Sequence, residues 1–183
     1  MVQVALNWKY IEWLPNETWK KQTLPKLEEV GLRINELKRS VYVIRLNGDY
    51  CIEYPEGESP VVYVGEGRFG QRINKHKIWV KELSDLVGKF SFQVRIAVPR
   101  IKNNENAYKD CEAFVLHRFK QKFGSAPLRN KQFEKRRNEN YSYSETNVDR
   151  AICKGSGAKY KWAIKPMKAS PFYGDFMRTH TSA

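Results

Sequence analysis

The 183 residues carry 33 Lys and Arg against 20 Asp and Glu, a net charge of +13, and 41% of them are apolar. That content builds one compact domain with extra arms and excludes wholesale disorder, while the positive excess makes a polyanion, nucleic acid or an anionic membrane surface, the first partner to consider. No apolar run approaches the roughly 18 residues of a spanning helix, and Cys51, Cys111 and Cys153, far apart and without CxxC spacing, read as reduced thiols of a cytoplasmic protein rather than as a zinc site.

In chain order, the first fifteen residues are tryptophan-rich and lack a clear period. Asn16 caps a short helix through Lys21. A second helix opens at Pro25, a favoured first-turn residue, with Leu24, Leu27, Val30, Ile34 and Leu37 as its stripe and Lys38 and Arg39 near its end. Val41–Leu46 and Tyr50–Tyr54 flank Asn47-Gly48-Asp49, a hairpin signal, and the loop Pro55–Pro60 leads to a strand at Val61–Val64. Gly65-Glu66-Gly67 ends that strand, and the spacing predicts a helix over 69–87. A strand over 90–98 follows, with Phe90, Phe92, Val94 and Ile96 on one face, and then a long helix over 105–123, stopped by Gly124 and Pro127. After Asn130 the signals weaken, apart from a strand at 160–164. The order predicts a small α/β or α+β domain.

The charge is concentrated. Residues 118–183 hold fifteen basic and five acidic side chains, or +10 of the +13. Arg118, Lys120, Lys122, Arg129, Lys131, Lys135, Arg136 and Arg137 face Glu134 alone, with aromatics interleaved at Phe119, Phe123 and Phe133 and continuing to Tyr141, Tyr143, Tyr160 and Trp162. Clustered cations bind phosphate non-specifically, and such aromatics can pack on sugars or bases. The pattern favours a nucleic-acid partner over a merely solvated face.

Two polar residues interrupt apolar faces. Ile73, His76, Val80, Leu83 and Val87 follow a 3-4-3-4 rhythm, which puts His76 on a buried stripe with Arg72 one turn before it. Glu112 lies among Tyr108, Val115, Leu116, Phe119 and Phe123 on the later helix. A carboxylate there must be paired, protonated or bound to a cation, and Arg72 is the obvious candidate for a structural salt bridge. Taken with Tyr42 and Tyr63 at corresponding strand positions, these groups form a kit for phosphodiester hydrolysis. Glu112 would hold one divalent cation, Arg72 would take the extra negative charge, and a tyrosine aided by His76 would activate water.

The ordered residues resemble the GIY-YIG nuclease family. Ser40-Val41-Tyr42 stands where that family has its first tripeptide and Tyr63-Val64-Gly65 matches the second. Arg72 and His76 reproduce an Arg-x-x-x-His on the following helix. Glu112 falls where the metal-binding glutamate should, and Asn130, in Pro127-Leu128-Arg129-Asn130-Lys131, matches an asparagine after that helix. The resemblance covers residues 40–131. It departs at Ser40, which replaces a glycine, and in the 21 residues between Tyr42 and Tyr63, which place an insertion at about 47–60.

The resemblance implies a small mixed β-sheet flanked by helices as the catalytic core, with an N-terminal helical arm over 1–39 and a basic C-terminal extension over 132–183. It implies one-metal hydrolysis of DNA to 5′-phosphate and 3′-hydroxyl ends, with Mg²⁺ first and Mn²⁺ second as the cation on Glu112. Tyr42 would be the general base, with His76 accepting or relaying its proton. Tyr63 would hydrogen-bond around the phosphate or share the base role, Arg72 would bind the phosphate, and Asn130 would anchor the site. Arg68, Lys75 and Lys77 are candidates for DNA contact beside Arg129, Lys131, Lys135, Arg136 and Arg137. The layout is most like the compact type II restriction enzymes of the family, which implies duplex DNA as partner, a homodimer on a palindrome and a bacterial or phage-infected cytoplasm. A phage or mobile-element nuclease of relaxed specificity, and a non-catalytic nucleic-acid-binding module on the same scaffold, are the alternatives.

Overall fold

The computed structural model describes residues 2–47, 50–87, 91–131, 133, 135–136, 140–154, 162–164, 168–169, 171 and 173–174. The expected Asn47–Asp49 turn, the start of the 90–98 strand, Arg137, Tyr160 and His180 lie wholly or partly outside them. Among the described residues the fold is a mixed α/β arrangement of three sheets and four α-helices, none of them long and apolar enough to cross a membrane.

The central sheet is assembled around β3 (Val41–Leu46), every residue of which is buried, so both of its faces are covered. β6 (Val61–Glu66) flanks it on one side and β7 (Phe92–Ala97) on the other. β2 (Lys9–Trp13) completes the order β2-β7-β3-β6. All three pairings are antiparallel, so this sheet is not the mixed one expected. β6 and β7 therefore run parallel to each other across β3, joined by the crossover helix α2 (Phe69–Val87), whose bounds are those the spacing predicts. Phe92, Val94 and Ile96 all face the core, as their alternation requires.

The hairpin forms elsewhere than expected. β4 (Tyr50–Tyr54) does not pair with β3; it pairs with β5 (Gly57–Ser59) around a tight turn at Pro55-Glu56. Asn47 instead bonds back to Ser91, through its backbone N–H at 3.1 Å and its side-chain amide at 2.8 Å. β4 also takes β9 (Trp162–Ile164) as a parallel partner, so the insertion and the C-terminal extension share one sheet.

The N-terminal arm is less helical than expected. Residues Trp19–Thr23 form a π-helical turn that passes into the short α1 (Leu24–Glu29). Gly31, at φ 82°, breaks the stripe read as one helix, and Glu36–Arg39 is only a 3₁₀ turn. Leu27 and Leu37 are buried, but Ile34 is exposed. The arm also supplies β1 (Val2–Val4), paired in parallel with β8 (Tyr141–Tyr143) of the extension.

α3 (Ala107–Phe123) ends at Gly124, whose positive φ of 75° lets its N–H reach the Lys120 carbonyl at 2.8 Å. α4 (Glu145–Ile152) is capped by the Ser144 hydroxyl, which accepts from the Asn147 N–H. Its last carbonyls are gripped by buried Arg45, which donates to Ala151 at 2.7 Å and Cys153 at 3.0 Å.

Candidate active site

Tyr42 and Tyr63 come from adjacent antiparallel strands. Tyr42 pairs with Gly65 and Tyr63 with Ile44, so the two rings stand on one face, offset by two residues. Gly65 lies beneath them. A Cβ there would meet Tyr63 Cε1 at 2.6 Å and Tyr42 Oη at 2.7 Å, so only glycine leaves the rings this close. α2 brings the remaining groups. Phe69 packs edge-on to Tyr42 with centroids 4.9 Å apart, and His76, one stripe further along, sets Nε2 3.0 Å from Tyr42 Oη. Arg72, about half exposed, pairs with Glu66 at 3.5 Å, and its positive charge acts on both tyrosine hydroxyls. The ion pair expected between Arg72 and Glu112 is thus with Glu66.

The two tyrosines differ in access. Tyr42 is completely buried, whereas Tyr63 is partly exposed. Burial pushes the Tyr42 hydroxyl well above its ordinary range, the neighbouring Tyr63 adds to this, and Arg72 opposes it. Burial also raises Tyr63, but there Arg72 and the Tyr42 hydroxyl both pull it down. Of the two rings, only Tyr63 has surface open to solvent, while Tyr42, the residue expected to be the base, has none. His76 is buried, and its pKa is lowered to about 4 by desolvation and by the charges of Arg72 and Arg129. The imidazole is neutral at physiological pH.

Glu112 is buried in α3, and its charge acts on both tyrosines. Among the described residues no three His, Cys, Asp or Glu side chains gather into a closed metal site. The donor set fits a hard cation held through one carboxylate that keeps most of its water. Asn130 follows α3 and closes the free edge of β6. Its side chain accepts from Val64 N–H at 2.9 Å and donates to Val64 carbonyl at 2.8 Å, next to Tyr63. It anchors the loop to the strand and does not reach into the tyrosine cluster among these contacts.

The basic residues separate into two groups. Arg68, Lys75, Lys131 and Lys135 are exposed. Arg68 lines a groove of about 500 Å³ with Trp19, Lys38 and Phe69, the residue that also walls Tyr42. The others are engaged by the protein. Lys77 donates to the Glu17 carbonyl of the arm, and Arg129 lies 5.5 Å over the Trp79 ring. Arg136 donates through Nε to both oxygens of buried Asp110 at 3.1 Å, and Tyr143 donates to the same carboxylate at 3.0 Å. Arg118 and Lys122 pair with Asp149 of α4. Part of the basic segment thus fastens the extension to α3.

Two residues of this region escape the sequence pattern. Trp79 donates from Nε1 to His76 Nδ1 at 3.1 Å. It sits three residues after His76 on α2 and so on the same side, a spacing signal that was present but submerged in the aliphatic stripe. Asp110 carries no such signal, because its partners come from residues 136 and 143. Compared with known proteins, the chain matches no family model, no curated protein and no solved structure.

Proposed function

We propose that this chain is a metal-dependent DNA endonuclease of the GIY-YIG type, cleaving duplex DNA at specific sites in the manner of a restriction enzyme. The observation that carries the reading is the convergence of Tyr42, Tyr63, Arg72 and His76 on one sheet face, within the field of the Glu112 carboxylate. Arg72 donates to a non-bridging oxygen of the scissile phosphate, where negative charge develops. Tyr63, the tyrosine open to solvent, is the general base. The oxygen of water bonds to phosphorus, its proton passes to the Tyr63 phenolate oxygen, and the bond to the 3′-oxygen breaks as that oxygen takes a proton from solvent, leaving 5′-phosphate and 3′-hydroxyl ends. Glu112 would hold a divalent cation, Mg²⁺ or Mn²⁺, which would supply Lewis-acid charge at this phosphate. Arg68, Lys75, Lys131 and Lys135 hold the backbone on either side by salt-dependent contacts. One such site per chain cuts both strands as a homodimer on a palindrome.

The test is a Mg²⁺ digest of a large unmodified phage DNA, run beside Glu112→Gln and an EDTA control. Discrete bands absent from both controls are expected, with Glu112→Gln still binding DNA. A metal-dependent smear would replace site specificity with a relaxed nuclease, and DNA binding without cleavage would reduce the chain to a binding module. Full turnover by Glu112→Gln would remove Glu112 as the metal ligand.

A further inference from the structure

The indole N–H of Trp79 can only donate, and it is aimed at His76 Nδ1 at 3.1 Å. Nδ1 must therefore present its lone pair, which leaves the ring proton on Nε2, the atom 3.0 Å from Tyr42 Oη. A proton on Nδ1 would meet the indole N–H head on, so the other tautomer and the imidazolium are both disfavoured. The Tyr42 oxygen accepts from His76, so its own hydrogen is directed away from the imidazole, on the sheet face it shares with Tyr63.

We propose that Trp79 is a positioning residue that locks His76 in its Nε2–H form and so fixes the direction of the hydrogen bond to Tyr42, beside the partly exposed Tyr63. In that direction Trp79 donates to His76 and His76 to Tyr42, which leaves the Tyr42 hydroxyl hydrogen for the side where Tyr63 stands, ring centroids 6.0 Å apart. The charge of Arg72 and the Tyr42 hydroxyl both pull the Tyr63 pKa down, toward its phenolate. His76 is a donor in this arrangement; it neither accepts nor relays a proton from Tyr42, contrary to the role its resemblance implies. The surroundings keep the indole in place. Trp79 is buried edge-on to Phe92, its ring is covered by the Arg129 guanidinium, and Arg129 is itself tied by its backbone N–H to Val62 and by the neighbouring Asn130 to Val64.

The catalytic half of this inference rests on the nuclease reading, but the tautomer does not. The chain has three histidines, so long-range ¹H–¹⁵N correlation of the imidazole nitrogens resolves them, with His76→Gln identifying the signal. In the wild-type protein at neutral pH, His76 is expected to carry its proton on Nε2 alone. In Trp79→Phe that fixed form should give way to a mixture of tautomers, and kcat should fall by about tenfold or more with KM little changed. Circular dichroism checks that the variant folds, and the wild-type spectrum decides the tautomer whether or not it does. A wild-type His76 protonated on Nδ1 would overturn the proposal, as would a folded Trp79→Phe with unaltered tautomer and kcat. A wild-type protein that shows the Nε2–H form but cuts no DNA would support the lock and overturn the nuclease reading instead.

Discussion

Tyr42 and Tyr63 share a sheet face and a glycine floor, yet one ring is buried and the other partly exposed, a difference that on the proposed reading gives them separate tasks. The base must be ionised to accept a proton, and burial raises Tyr63 from its ordinary value of 10.0 despite Arg72 and Tyr42. The rate of cleavage should therefore climb about tenfold per pH unit through the neutral and mildly alkaline range. Tyr63→Phe should abolish that climb along with most activity. Tyr42→Phe should lower the rate while the slope survives, and it should cost about 1–3 kcal/mol of stability because buried His76 Nε2–H loses its acceptor. Pre-steady-state cleavage across pH, with thermal melts of both variants, checks this. Equal loss of slope in the two would return the base role to the buried tyrosine. At this scale the sequence placed the right residue types together, since Tyr42, Tyr63, Arg72 and His76 do meet. Their division of labour was not legible, because exposure depends on what the arm and α2 lay over each ring.

Elements with a strong internal rhythm were legible nearly to the residue. α2 follows from the spacing of Ile73, His76 and Val80, and α3 from its stripe and the stop at Gly124. Elements held by distant partners were not. The Asn47–Asp49 signal suggested a hairpin, yet β3 is saturated by β6 and β7, so β4 turns away to β5 and β9. α4 went unread although Ser144 caps it and Val148, Ala151 and Ile152 form its buried stripe. The attachment of the extension to α3 depends on Asp110, which is 2% exposed and accepts from Arg136 and Tyr143. Asp110→Asn removes the charge that Arg136 is held against, and it should destabilise the protein by about 3 kcal/mol. Urea denaturation at neutral pH measures it. A change below about 0.5 kcal/mol, the size of a surface substitution, would mean that this junction is not a tether.

For the whole molecule, the arm, core and extension read from the sequence are interleaved rather than strung in series. The arm gives β2 to the central sheet and β1 to β8, and the extension gives β9 to the insertion. Buried Arg45 has three carbonyl acceptors in residues 150–153, and the buried Ser59 hydroxyl donates to Ile152. A chain cut after Lys131 would lose all of these partners from groups that stay buried. It should fail to give a cooperative thermal transition, even though it keeps Tyr42, Tyr63, Arg72, His76, Glu112 and Asn130. A truncated chain that melts cooperatively and cleaves DNA would show that the core is self-sufficient. The same interleaving explains why charge alone overstates the nucleic-acid surface. Arg118, Lys122 and Arg136 belong to the fastening, whereas Arg68 and Lys75 at α2 and Lys131 and Lys135 after α3 are exposed.

The pairing of β1 with β8 also sets an order in time. Val2 is made well before its partner Tyr141, which is synthesised 139 residues later. Ile164, the partner of Ile52 in β9, comes later still. Closure of both sheets waits until the chain has been made as far as residue 164, as it does wherever distant strands must find each other. On the proposed reading, a nascent chain that has already made its tyrosines, arginine and glutamate would thus remain without a finished scaffold until residue 164 has been made. The cell would not meet a partly made chain able to cut its DNA.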